Sequence, residues 1–251
     1  MENMEILEKS KKPIERIDDL HRNGYVIIQD PEKFCFGVDA VLLSDFAKAK
    51  KNEVVLDLGT GTGIIPILVA AKTNAKKIIG LEIQSQCVEM ARRSVAMNDL
   101  QERISIDQGD IKNLTQLYKP SSINVITTNP PYIHKSGGII NEYDSKAIAR
   151  HELLCTLDDI VAGSSKLLTF GGRFYMIHRP YRLVDIFTTM RIHNIEPKVI
   201  RFVHPFAHKD PTMVLVEGIR SGKAELKVMP PLIIYESQGV YTEEVRKIYY
   251  E

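Results

Sequence analysis

Several things are scarce in this chain, and each scarcity removes a class of protein. Three cysteines, Cys35, Cys87 and Cys155, lie far apart in 251 residues and form neither a CxxC pair nor a Cys/His pattern. No metal site or disulfide framework is implied, and buried, reduced thiols are expected. Net charge is nearly absent: 33 Lys and Arg against 32 Asp and Glu leave +1. A chain without a global positive field must hold any nucleic acid through a local patch. No apolar run reaches membrane-spanning length, and Met1-Glu2-Asn3-Met4-Glu5 lacks the basic-then-apolar profile of a secretory signal. The expectation is a cytoplasmic, reducing location with no membrane partner. Internal repeats and low-complexity linkers are missing too. The length allows one well-buried α/β domain with additions, not two full enzyme domains.

Against those absences, residues 54–66 stand out. Val54-Val55-Leu56-Asp57-Leu58 is a mostly apolar run of strand length, Gly59, Gly61 and Gly63 follow within five positions, and Ile64 to Ala71 suits a helix. Such a strand fits a sheet covered on both faces. A glycine turn between strand and helix brings backbone N–H groups against a ligand with no Cβ in the way. Pro66 falls in the first helical turn, where N–H groups are free and a proline loses nothing. Isoleucine stands where a dinucleotide fingerprint has its last glycine, which points away from NAD. Asp57-Leu58-Gly59-Thr60-Gly61-Thr62-Gly63 resembles the first motif of the Rossmann-like, S-adenosylmethionine-dependent methyltransferases.

Strands and helices alternate on both sides of this turn. Residues 1–22 read as a short arm with helical potential, and Gly24–Gln29 as a strand turning at Asp30-Pro31. Phe34 to Leu43 leads into a helix ending near Lys50, with Phe36, Ala40 and Leu43 on one stripe. Asp39, at its start, is either a helix-dipole partner or a ligand contact. Lys77–Leu81 is a second strand closed by Glu82, at the interval where Rossmann-type folds place an acid on ribose hydroxyls; the plainer reading is a surface acid at a strand end. Ser85–Asn98 has a helical period, and Ile104–Gln108 is a third strand. Asp110, just after it, could accept from an adenine amino group with Ile111 beside the ring.

Ser122–Thr128 forms a fourth strand running into Asn129-Pro130-Pro131-Tyr132 and a long polar loop, a length typical of lids and binding surfaces. Helix Leu153–Leu168, a strand Arg173–His178 opened by Gly171-Gly172, helix Pro180–His193, and strands Ile195–Val203 and Thr212–Gly218 follow. A strand-like Leu232–Glu236 and an amphipathic Glu243–Tyr250 close the chain. The pattern implies a Rossmann-like α/β fold with a mostly parallel seven-stranded sheet and an antiparallel edge strand. The expected divisions are an arm (1–30), a methyltransferase domain (31–220) and a tail (221–251).

Asn129-Pro130-Pro131-Tyr132 narrows the chemistry. An amino group on an aromatic base, or an amide nitrogen, is a poor nucleophile because its lone pair is delocalised. The Asn129 side-chain oxygen and the Pro130 carbonyl can each accept one N–H and disfavour that conjugation. The prolines stiffen the corner and have no N–H to compete. Tyr132 offers a flat face for the acceptor ring. No general base is needed before attack, so no triad is sought, and the scattered histidines read as structural or RNA-facing. The alternative for this tetrapeptide alone is a rigid turn after a strand. Following the glycine turn, Glu82 and Asp110 in order, it resembles the N6-adenine, N4-cytosine and N5-glutamine amino-methyltransferases.

Phe34-Cys35-Phe36-Gly37-Val38-Asp39-Ala40-Val41-Leu42-Leu43 upstream, with Ala149-Arg150-His151-Glu152 downstream, resembles the tRNA1(Val) adenine-37 N6-methyltransferase family over roughly residues 20–220. That resemblance implies S-adenosylmethionine as donor and an adenine in a tRNA anticodon loop as acceptor, a base cheaper to present than one in a duplex. It implies that Asp57, Gly59, Thr60, Gly61 and Gly63 hold the methionine end of the cofactor, Glu82 its ribose, and Asp110 with Ile111 its adenine. Phe36 and Asp39 would cap it. Asn129, Pro130, Pro131 and Tyr132 would form the catalytic corner, with Asn129 also near the cofactor. Arg150 and His151 would sit over the site or meet phosphate. Lys135, Arg179, Arg182, Arg201, His204, His208 and Lys209 would contact the anticodon stem-loop, an ordinary solvated face being the alternative. A monomer is expected. Two other functions share some of these features: a protein glutamine-N5 methyltransferase, which usually carries a helical N-terminal domain, and a cofactor-binding module without turnover.

Overall fold

Apolar strands alternating with helices bury both sheet faces when the connections return on opposite sides, and this chain does so from Val54 onward. The computed structural model describes residues 14–31, 35–130 and 155–250. In chain order the elements are β1 (Arg16–Asp19), β2 (Val26–Gln29), α1 (Val38–Phe46), β3 (Val54–Leu58), α2 (Ile64–Lys72), β4 (Lys77–Glu82), α3 (Ser85–Met97) and β5 (Ile104–Gln108). After a 3-10 turn (Ile111–Asn113) come α4 (Leu114–Leu117), β6 (Ile123–Thr128), α5 (Leu157–Leu167), β7 (Leu168–His178), α6 (Leu183–Ile192), β8 (Ile195–His204) and β9 (Met213–Arg220). The tail adds β10 (Lys227–Val228), β11 (Leu232–Ile233), β12 (Tyr235–Ser237), β13 (Val240–Tyr241) and α7 (Glu243–Tyr250).

The main sheet runs β10-β8-β9-β7-β6-β3-β4-β5, with β11 also against β8. Strands β5, β4, β3, β6 and β7 are parallel. β9 runs antiparallel between β7 and β8, and so makes that side of the sheet antiparallel. The seven strands expected are β3 to β9; the two-residue β10 and β11 extend the sheet to nine. From β3 the order goes one way to β4 and β5 and the other way to β6 and β7, which opens a crevice above the carboxyl ends of β3 and β6.

Alternate strand residues feed two apolar layers. Val55, Val125, Tyr175 and Leu215 pack under α1, α2, α3 and α7. Leu56, Ile126, Phe174 and Val216 pack under α4, α5 and α6. All seven residues from Ile64 to Ala70 are buried, as suits a helix that is apolar all round.

Four expectations need correction. Residues 16–19 of the arm form a strand and not a helix, because Ile17 pairs with Ile28 and packs with it against Cys87 and Met90. α1 stops at Phe46: Ala47 closes the last turn onto Leu43 and then turns extended to reach β3. β7 begins at Leu168, so Gly171 and Gly172 lie inside it, at an irregularity in its pairing with β6. Of the cysteines, only Cys87 is buried; Cys35 is exposed and Cys155 half-buried.

Both ends of the chain are tied to the centre. The Ile28 N–H donates to Ser94 Oγ (3.0 Å), the Val26 N–H to Asn98 Oδ1 (2.8 Å), and Arg93 forks onto the buried Glu15 (2.8 Å to each oxygen). In the tail, Leu232, Ile234, Val245 and Ile248 enter the layer of α1 and α2. Arg22 Nη2 donates to the carbonyls of Lys247 (3.0 Å) and Ile248 (3.1 Å), and Lys72 Nζ to that of Ile248 (3.0 Å), which satisfies the end of α7. Residues 232–248 therefore belong to the folded unit. Leu232→Ala should lower unfolding free energy by about 2–5 kcal/mol in denaturant titration; a change within about 0.5 kcal/mol would mean that the tail adds nothing to the core.

Candidate active site

Asp57 occupies the last turn of pleat in β3 with 1% of its surface exposed. Its register partner on β6 is Thr127, whose hydroxyl donates to Asp57 Oδ1 at 2.7 Å. Asp57 Oδ2 is buried with no hydrogen-bond partner among the described residues. Burial pushes this carboxyl up to about 7, against the opposing pull of the Thr127 and Thr60 hydroxyls and with a smaller push from Glu82.

Beyond Asp57 the chain turns through Gly59, Gly61 and Gly63, all left-handed at φ +71°, +57° and +88°. At Gly63 a Cβ would also lie 3.2 Å from that of Ala91, so glycine is required both by conformation and by the approach of α3. The turn is fastened to β4: the N–H groups of Gly59 (2.9 Å) and Thr60 (3.0 Å) donate to the Leu81 carbonyl, and the Gly61 N–H to Glu82 Oε2 (2.9 Å). Glu82, 6% exposed, also accepts the Gln84 N–H on Oε1 at 2.9 Å. Each carboxylate oxygen keeps a second lone pair.

The other site residues leave neighbouring strands at the same edge. The Gly109 N–H donates to the Glu82 carbonyl (2.9 Å), and Asp110 Oδ1 accepts the Lys112 N–H (2.9 Å), capping the turn that begins with half-buried Ile111. Leu58 pairs with Thr128, whose hydroxyl donates to the Leu58 carbonyl at 3.1 Å. Gly59 and the half-buried Asn129 thus emerge at one level from strands about 4.8 Å apart. Pro130 follows. Asp45 at the end of α1 meets Lys72 at the end of α2 at 3.2 Å; α1 starts at Val38, with Asp39 in its first turn and Phe36 just ahead of it. Strand pairing and the bonds of the turn place Asp57, Gly59, Thr60, Gly61, Gly63, Glu82, Asp110, Ile111, Asn129 and Pro130 at one edge of the sheet, while Phe36 and Asp39 stand at the start of α1. Pro131, Tyr132, Lys135, Arg150 and His151 lie outside the described residues.

Arg179 and Arg182 follow β7, His204 ends β8, and His208 and Lys209 follow it, also at the carboxyl edge. Arg201 is engaged elsewhere: it forks onto Glu244 (2.7 and 2.9 Å) and donates to the Pro230 carbonyl (3.0 Å). His178 is 3% exposed and accepts the Arg179 N–H on Nδ1 at 2.7 Å. Burial first, then Arg182 and Arg179, press its pKa down to about 4, so it is neutral near pH 7 and suits the structural reading given to it.

Three residues escaped the sequence reading. Thr127 holds Asp57 but carries no pattern of its own. Gly80 leaves room for Thr60 and Ile106, which would sit 2.8–2.9 Å from a Cβ there; an isolated glycine inside an apolar strand was the available signal. Gln29, 1% exposed, accepts the Phe36 N–H on Oε1 at 2.7 Å and donates through Nε2 to Asp18. Nothing in sequence links those positions.

A profile of the methyltransferase domain matches residues 49–194. Two curated proteins named tRNA1(Val) (adenine(37)-N6)-methyltransferase are similar to this chain. The one from Porphyromonas gingivalis is 29% identical, covering 83% of this chain and 84% of its own; that from Phocaeicola vulgatus is 30% identical, covering 83% and 86%. Among solved structures, a predicted O-methyltransferase from Agrobacterium tumefaciens has a TM-score of 0.69 at 23% identity, over 84% of this chain and 95% of the other. TYW2 from M. jannaschii, solved in complex with AdoMet, has a TM-score of 0.57 at 12% identity, over 83% and 86%.

Burial of Asp57 makes stability pH-dependent. The folded chain keeps this proton to a higher pH than the unfolded chain, so the contribution is complete below the ordinary aspartate value of 3.8 and is lost as pH rises through about 7. The melting temperature of wild type relative to Asp57→Asn, without added ligand, should therefore fall between those two pH values. A constant difference across that window would show that Asp57 is ionised and satisfied in the folded protein.

Proposed function

We propose that this chain, which belongs to the methyltransferase-domain family and within it to the tRNA1(Val) (adenine(37)-N6)-methyltransferases, methylates N6 of an adenine in tRNA, adenine 37 of the anticodon loop. S-adenosylmethionine is the donor, and the protein acts as a cytoplasmic monomer. The observation that carries this reading is that Asn129 and Gly59 leave adjacent strands at one level, beside a buried carboxylate with an oxygen that has no partner among the described residues.

The cradle fits the cofactor. Asp57 Oδ2 has no hydrogen-bond partner among the described residues, and Glu82 retains lone pairs. A Cβ at Gly59 would meet no atom of the described residues within 4 Å. Asp57, Gly59, Thr60, Gly61 and Gly63 would hold the methionine end, Glu82 the ribose hydroxyls, and Asp110 with Ile111 the adenine. Phe36 and Asp39 would close over it. When bound, the cofactor supplies an electrophilic methyl group.

What remains for the chain is positioning and electrostatics. The Asn129 side-chain oxygen and the Pro130 carbonyl accept the two N–H bonds of the target amine and localise its lone pair on nitrogen. Tyr132 supports the base by stacking. The amine loses its proton after it becomes cationic, so water suffices as the acceptor. Arg179, Arg182, His204, His208 and Lys209 share the carboxyl edge and would meet the anticodon arm. Lys135, Arg150 and His151 are assigned to the same contact through the family resemblance. Arg201 is withdrawn from it, since its guanidinium holds the tail.

Two experiments test this reading. Purified protein with labelled donor and total tRNA should yield N6-methyladenosine by nucleoside mass spectrometry, and a transcript with adenine 37 replaced should stay unmodified. Label in the replaced transcript would refute the position, and label in protein alone would favour the glutamine chemistry. Asn129→Ala should lower turnover by about 100-fold or more while calorimetry finds cofactor affinity near wild type; equal loss of both would contradict the role given to Asn129.

A further inference from the structure

The connection from β8 to β9, Pro205 to Thr212, and the tail after Arg220 are the two segments to which the methyl-transfer chemistry assigns no work. The structure joins them. The Phe206 ring lies 5.7 Å from that of Tyr235; Tyr235 stacks on Tyr241 (5.3 Å, 13°), and Tyr241 on Tyr249 (5.2 Å, 18°). Tyr235, Tyr241 and Tyr249 pack against the core. On its other side Phe206 stacks on His208 (5.9 Å, 24°). Backbone ties hold the same loop: the Tyr235 N–H to the Pro205 carbonyl (3.0 Å), the Lys209 N–H to the Phe206 carbonyl (3.0 Å), and His204 Nδ1 to the Lys209 carbonyl (2.7 Å). Yet Ala207, His208 and Lys209 are exposed.

His208 is therefore one solvent end of a run of rings whose middle members, Tyr235, Tyr241 and Tyr249, pack against the core; past Tyr249 the run continues through Tyr250 (5.9 Å) to His21 (5.3 Å). The loop leaves the sheet at the carboxyl edge, the edge of Gly59 and Asn129, because β8 runs parallel to β7. Lys209 makes no ion pair among the described residues, and Arg179, tied to the Thr212 carbonyl at 3.0 Å, flanks the loop. Asp210 is the one acid on it.

We propose that His208, backed by Phe206, is a stacking platform for an unpaired nucleobase next to the target adenine, with Lys209 on the adjoining phosphate. This rests on the tRNA reading above and names the surface that meets the loop. A rigid, exposed ring accepts any base face and loses little freedom on binding. Bases in RNA loops are unstacked enough to offer such a face. The aromatic column gives the tail its role: it fixes the height and tilt of the platform.

The test is binding of an anticodon stem-loop RNA, followed by fluorescence anisotropy, independent of turnover. His208→Ala should weaken binding by roughly tenfold, and His208→Phe, which keeps the stack without the imidazole, should stay within about twofold of wild type. Lys209→Ala should reduce the slope of log affinity against log salt by about one. Cofactor affinity should not change in any of them, and Lys223→Ala, at the opposite end of β9, should match wild type. Wild-type affinity in His208→Ala would overturn the platform while leaving methylation of tRNA standing. Equal loss in His208→Ala and His208→Phe would overturn stacking as its basis, and a wild-type protein that binds no RNA would overturn both proposals.

Discussion

One buried carboxylate sets the terms for the rest of the structure. Asp57 is closed off from water at the end of β3, held by the Thr127 hydroxyl of the neighbouring strand, with one oxygen that has no hydrogen-bond partner among the described residues. Such a group is costly to a protein unless something binds there, since a desolvated acid without compensating donors favours its neutral form. Its position is enforced from both sides. Thr127 fixes it to β6, the strand that ends in Asn129, while the glycine turn that follows is tied to β4, the strand that ends in Glu82. The same few hydrogen bonds that hold Asp57 therefore set the spacing between the glycine turn and Asn129.

The outlying parts of the chain serve this edge. The β1–β2 hairpin docks on α3 and, through Gln29, supports the backbone of Phe36 just ahead of α1. The tail packs Leu232, Val245 and Ile248 into the layer beneath α1 and α2, and its tyrosines brace the β8–β9 loop. A division into arm, domain and tail describes the order of the sequence better than the packing, in which the hairpin and residues 232–248 share buried contacts with the helices that cover the main sheet.

Legibility in sequence followed the range of the interaction. β5 was read residue for residue, and β4, β6, α3 and α7 within a residue or so, because each is set by its own periodicity. The arm was misread since the strand at Arg16–Asp19 exists only through its pairing with β2, a tertiary event invisible to local propensity. Likewise β7 was started late, because Gly171 and Gly172 look like a boundary and are in fact an irregularity within a paired strand. Among the candidate site residues, the glycines, Glu82 and Asn129 stand out in the sequence by motif and order. Arg201 looked like any other surface cation until the tail was seen to cover it with Glu244.

The sequence by itself determined the order of the strands from β3 to β9, the glycine turn and the class of reaction, since these are written in short stretches whose chemistry does not depend on distant contacts. Only the tertiary structure decided that Thr127 holds Asp57, that Gly80 makes way for Thr60, that Gln29 reaches Phe36, and that the tail supports a loop beside the site. Each of those facts depends on two segments far apart in the chain arriving at one place, and the distance between them is set by sheet order and packing, not by either segment alone.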